Sequence, residues 1–147
     1  MKKFKFSLQS VLRLKINIED NEKTQLYILK SQLNTLLEEK RVLDELYAAG
    51  VEEQREICRR GTSPARLIEM SHYLQDMEMQ QKQKQDEIDA MQLRADEQLE
   101  AVMQASTEVK TLEKLKEKQW TVYTEKANKE QDIIIEDFVA GQMALNS

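Results

Sequence analysis

Along the first third of the chain, Leu26, Leu29, Leu33, Leu36, Leu43 and Tyr47 recur at alternating steps of three and four, with Lys40 as the polar interruption. A spacing averaging 3.5 keeps one stripe of a helix turned toward a partner helix, so the pattern predicts a coiled-coil seam. The second half repeats it more regularly. Stepping by three and four from Leu67 gives Met70, Leu74, Met77, Gln81, Lys84, Ile88, Met91, Ala95, Gln98, Val102, Ala105, Val109, Leu112, Lys116, Gln119 and Tyr123. About twelve of these roughly seventeen positions are apolar, far above chance for a chain that is 40 % apolar.

The two seams are separated by the strongest break in the sequence. Gly50 and Gly61 bracket VEEQREICRR, and Thr62-Ser63-Pro64 reads as a cap followed by proline at the first helical position, where its missing N–H costs nothing. The expected fold is all-α: one domain over residues 1–147, with two long helices in an antiparallel coiled-coil hairpin. Helix one is placed at about 7–59, the reversal at about 59–63 and helix two at about 64–140. At the amino end Ser7 is the expected cap, with Phe6 and Val11 as a hydrophobic staple. Folding the chain back at the reversal sets Leu36 against Ile88, Leu29 against Ala95, Leu8 against Lys116 and Phe4 near Trp120. Trp120, the only tryptophan, would then close the open end together with Phe4 and Phe6. Ile133, Ile134, Ile135, Phe138 and Val139 extend past that end and find no partner within the chain.

Composition sharpens the picture. The chain has 3 Gly, 1 Pro and 33 % charged residues, the profile of long helices with few turns. No apolar run approaches the roughly 20 residues needed to span a bilayer, and Met1 to Arg13 lacks the apolar core of a secretory signal, so the expected compartment is the cytosol. A single cysteine, Cys58, builds no disulfide framework. The net charge of −5 is unevenly spread: Lys2, Lys3, Lys5, Arg13 and Lys15 precede the first acid, Glu19, whereas Asp76 to Glu100 is acidic.

Little chemistry is on offer. His72 is the only histidine, and three glycines cannot make a phosphate-cradling loop, so neither an enzyme, a cofactor nor a metal is expected. The acidic balance argues against nucleic acid as a partner. Met1 to Ile18 mixes Phe4, Phe6, Leu8, Val11 and Leu12 with five basic residues; it reads as a solvated coiled-coil end, and alternatively as a membrane-surface helix. Met70, Met77 and Met91 read as core filling, and Tyr47 as seam packing, whereas Tyr73 and Met79 lie off the seam, where packing and partner contact are both open. Gln81 and Lys84, within QQKQKQDE, either fix register or loosen the coil.

Three stretches resemble the FliJ family of the bacterial flagellar type III export apparatus: KFKFSLQSVLRLK at the amino end, HYLQDME after the break, and VKTLEKLKEKQW before an apolar-tipped tail. The F-x-F-x-L-Q-x-V-L pattern is the most specific part. The resemblance implies a two-helix stalk similar to the gamma subunit of rotary ATPases. Its terminal end would enter the central hole of the hexameric export ATPase FliI; a further surface would contact the export-gate membrane protein FlhA, and the protein would handle export chaperones. It also implies a place at the cytoplasmic face of the membrane at the flagellar base. By position, Phe4, Phe6, Leu8, Val11, Leu12, Trp120, Ile133, Ile134 and Phe138 would meet the ring, and Tyr47, Tyr73 and Met77 the gate. Gln80 and Lys84 depart from the apolar residue and histidine that the family pattern leads one to expect there. The rival readings are a parallel coiled-coil scaffold and a peripheral membrane tether.

Overall fold

The computed structural model describes residues 2–146. Helix α1 spans Gln9–Arg60 and helix α2 spans Pro64–Asn146, and no strand occurs among the described residues. The two helices pack against each other antiparallel within one chain, a helical hairpin rather than a parallel two-chain scaffold. The reversal follows from local chemistry. Gly61 has φ 89°, a left-handed conformation that costs glycine little, and its N–H donates to the Ile57 carbonyl at 3.0 Å to close the last turn of α1. The Ser63 hydroxyl then accepts the Arg66 N–H at 3.3 Å, capping α2 with Pro64 as its first residue.

The seam holds as read. Every position from Leu67 to Tyr123 selected by the three-four stepping is buried or half-buried. Contacts divide the chain into two units: residues up to Asn21 together with those from Met103 onward, and Glu22–Val102.

In the Glu22–Val102 unit, Leu29, Leu33, Leu74, Met77, Ile88 and Ala95 are buried. Burying each larger side chain is worth about 1.5–3 kcal/mol, which holds the pairing against the entropy of ordering the helices. In the other unit, Phe6, Leu12 and Val109 form a buried cluster onto which Phe4, Ile16 and Leu112 pack.

The amino end differs from expectation. The Phe6 carbonyl accepts the Gln9 N–H at 3.1 Å, so α1 opens at Gln9, past the expected Ser7 cap, on a backbone turn. Phe6 turns inward onto Leu12 and Val109, while Val11, its expected staple partner, is exposed. The physical reason is that the facing helix offers Phe6 a deeper apolar site than its own first turn does. At the other terminus α2 continues to Asn146, beyond the expected end near residue 140. Past Ala127 every described residue is exposed.

Candidate functional site

In the unit that carries the termini, Phe4 is the hub of an aromatic cluster. Its ring meets Trp120 edge-on at 5.2 Å and 77°, and lies 5.5 Å from Tyr123; Trp120 and Tyr123 stack at 5.6 Å and 27°. These separations and the edge-on geometry are those that the ring quadrupoles favour. Polar contacts tie the amino-terminal segment and the first turns of α1 to α2 around it. The Tyr123 hydroxyl donates to the Lys2 carbonyl at 2.8 Å, Lys116 Nζ donates to Gln9 Oε1 at 2.8 Å, and Lys15 pairs with Glu108 at 2.9 Å. Phe4, Leu12, Ile16, Lys116 and Trp120 line an open depression of about 550 Å³. Trp120 keeps 48 % of its surface in water despite its neighbours.

The residues assigned to the ring therefore fall into four sets. Phe4 and Trp120 touch, as the register predicts, with Tyr123 joining them. Phe6 and Leu12 are interior, so they hold this end together rather than face a partner, and Leu8 and Val11 lie at the surface. Ile133, Ile134 and Phe138 are exposed on the final turns of α2. Tyr123 was legible as a seam position but not as a member of the cluster, because its ring contact depends on the path of the residues before α1, which no local pattern specifies.

The Glu22–Val102 unit carries a ladder of polar contacts across the helices. The Tyr47 hydroxyl donates to Glu78 at 2.6 Å, Gln81 donates to Asp44 at 2.8 Å, and Lys84 bridges Glu39 at 2.6 Å and Glu87 at 3.2 Å. Further along, Gln98 donates to the Glu22 carbonyl at 2.9 Å and also to its carboxylate. Gln81, Lys84 and Gln98 are thus satisfied across the interface, the arrangement that fixes register in a coiled coil. Beside the ladder, Glu38, Glu39, Val42, Leu43, Gln80 and Lys84 line a groove of about 410 Å³. Of the residues assigned to the gate, Tyr73 is half-exposed and Tyr47 partly covered. Met77 is 5 % exposed, so it packs the seam beneath the surface instead of presenting a side chain to a partner.

These contacts bias protonation. Lys40, and then Gln81, hold the Asp44 carboxyl below its ordinary range, and Lys15 with Gln104 does the same for Glu108. Glu39, and then Glu87, raise the Lys84 ammonium, and the Glu78 carboxylate raises the Tyr47 phenol. A carboxyl with a lowered folded value contributes stability that is complete above the ordinary carboxylate range and is lost as pH falls through the lowered value. A raised lysine or tyrosine contributes stability that is complete below its ordinary value and is lost as pH rises past the raised one. Melting temperature is thus expected to be level between about pH 5 and 9, to fall below about pH 4 and to fall again above about pH 10. All four groups are solvated, so each effect is small and shrinks with added salt. Tyr47→Phe should flatten part of the alkaline fall in a circular-dichroism melt; an unchanged alkaline limb would show that the Tyr47–Glu78 contact carries no stability.

Among the described residues no group of three or more His, Cys, Asp and Glu side chains is placed to hold a metal ion, and no helix is long and apolar enough to cross a membrane. The features that stand out are surfaces: an aromatic, basic end, an exposed apolar helix terminus, and a groove beside a polar ladder. Fold and surfaces together define a helical hairpin with exposed apolar side chains on its last turns. The family comparison is specific: the model of the FliJ family, described as flagellar FliJ protein, matches residues 4–132. The chain belongs to the FliJ family and is a component of the flagellar protein export apparatus. No curated protein and no solved structure matches it.

Proposed function

We propose that this chain is the stalk of the export ATPase: the unit carrying its termini inserts into the hexameric FliI ring and promotes its activity, and the Glu22–Val102 unit engages the export gate protein FlhA. Work at the cytoplasmic face of the membrane at the flagellar base, and escort of export chaperones, belong to the same reading and rest on family membership. One observation carries the ring assignment. Ile133, Ile134, Ile135, Phe138, Val139, Met143 and Leu145 are all exposed on the last turns of α2, immediately beyond an aromatic cluster that is itself half open. So much apolar surface on one helix is a contact awaiting a partner.

The test is the hydrolysis rate of the hexameric export ATPase of the same bacterium with and without the full chain. Stimulation is expected, and a rate unchanged at saturating protein would overturn the reading. Trp120→Ala should reduce stimulation about threefold to tenfold, the loss of one partly exposed aromatic anchor. The same variant should lower the melting temperature by only a few degrees, because half of the indole is already in water.

A further inference from the structure

The last turns of α2 carry apolar side chains on a line that the intramolecular seam does not use. The seam runs through Lys116, Gln119 and Tyr123, toward α1 and the residues before it. One residue further round, steps of four and three lead from Glu113 through Trp120 and Ala127 to Ile134, Phe138 and Leu145. A shift of one residue turns this line about 100° from the seam, onto the flank of the hairpin. Trp120 is half-exposed there, and Ile134, Phe138 and Leu145 are more so. On the same line Glu113, Glu117 and Trp120 wall the open depression beside Phe4.

A line with three-four spacing can pair antiparallel with itself, and here composition selects the register. A two-fold axis beside Lys129 sets Trp120 against Phe138 of a second copy, Thr124 against its Ile134 and Ala127 against its Gln131. The two largest rings of the line then meet over the depression. Charge favours the same pairing. Beyond Lys129 the tail carries Glu130, Asp132, Glu136 and Asp137 and no base. It would lie on the stretch with Lys114, Lys116 and Lys118, which outnumber Glu113 and Glu117, beside Lys2, Lys3 and Lys5 grouped around Phe4. Parallel tails would instead set each acid beside its own copy, and the same acids oppose an anionic lipid surface.

We propose that a second copy of the chain covers this face: two hairpins join end to end in an antiparallel dimer, Phe138 of each seated in the depression of the other beside Trp120. The dimer does not rest on the ring reading and is measured without the ATPase. Where both hold, the two uses of the tail exclude each other, and the dimer keeps the plug covered until the ring displaces it.

Sedimentation equilibrium of the full chain should show a monomer–dimer equilibrium with Kd on the order of 10 μM, as suits a small interface. Phe138→Asp should weaken it about tenfold or more with an unchanged far-ultraviolet circular dichroism spectrum, because Phe138 is exposed and touches neither buried cluster. Added salt should weaken the native dimer severalfold. Orientation is read by disulfide formation in a Cys58→Ser background. When Ala127→Cys and Gln131→Cys chains are mixed and oxidised, unlike chains should join in preference to like ones, and Phe138→Asp in both should suppress the product. A chain that stays monomeric far above that concentration, native association by folded Phe138→Asp, or association that salt leaves unchanged would overturn the proposal. A preference for joining like chains would overturn it as well, since that is the mark of parallel tails.

Discussion

Truncation of the chain before Gln131 is expected to return the export ATPase to its unstimulated rate while moving the melting temperature of the hairpin by no more than about 2 °C. The separation follows from where the interior ends. Ala127 is the last partly covered residue, and every described residue after it is exposed, so the truncation takes nothing from either buried cluster. What it removes is a helix terminus with two unlike faces. Ile134 and Phe138 stand four residues apart, Ile135 and Val139 flank them, and Leu145 returns to the same side. Asp132, Glu136 and Asp137, with Ile133 and Met143 between them, occupy the remainder. A helical segment without tertiary contacts is marginal in water, and this one persists as a continuation of α2. Seating four or five such side chains in a ring would release about 1.5–3 kcal/mol each before the costs of association, enough to make the tail the main anchor. Ile134→Asp combined with Phe138→Asp keeps the helix and should reproduce the loss. A truncated protein that still stimulates fully would show that the tail is not the plug. The family match ends at residue 132, just before Ile133, so the tail assignment stands on its own exposed chemistry and not on the match.

The hairpin was legible because it rests on two signals that need no three-dimensional input. Period 3.5 fixes which side chains of α2 face α1, and all positions chosen from Leu67 to Tyr123 are covered. The Gly61 and Ser63-Pro64 pair fixes where the chain turns, since a left-handed residue, a cap and a first-turn proline are each local requirements. The Phe4–Trp120 contact followed from counting back from that turn. Three features were not legible, each for a physical reason. Phe6 could staple onto Val11 or turn inward onto Leu12 and Val109, and only the depth of the facing surface decides. Gln81 and Lys84 were visible as interruptions, but naming Asp44 and Glu39 as their partners requires register accurate to less than one turn. Gly50 was visible only as one of the two glycines that bracket VEEQREICRR, whereas it is a close approach of the opposite helix, detectable only once Leu74 and Tyr73 are in place. The site followed the same division: exposed apolar residues of the tail were plain in the sequence, while the inward burial of Leu12 and Met77 was not.

Leu12→Ala should be the most damaging single substitution at the amino end, costing about 2–5 kcal/mol and lowering the melting temperature by about 5–15 °C. Leu12 is 4 % exposed and shares its cluster with Phe6 and Val109, with Phe4, Ile16 and Leu112 packed around it. Residues 2–5 precede α1 and its first hydrogen-bonded turn, so their position depends on Phe6 in that cluster, on the Phe4 ring contacts and on the Tyr123–Lys2 bond. Emptying the Leu12 site leaves Phe6 over a cavity that the two helices cannot fill without shifting. Phe4 is two residues away and would lose its fixed contact with Trp120. Because Trp120 is the only tryptophan, its fluorescence reports that loss directly: emission should move to longer wavelength in Leu12→Ala well below the melting transition. Leu14→Ala is the control, since Leu14 is exposed and its removal should stay within about 0.5 kcal/mol and leave the emission unchanged. If Leu12→Ala melts like the native chain, the cluster does not hold the amino-terminal residues. If it melts lower with unshifted emission, the Phe4–Trp120–Tyr123 stack is held by its own ring contacts instead.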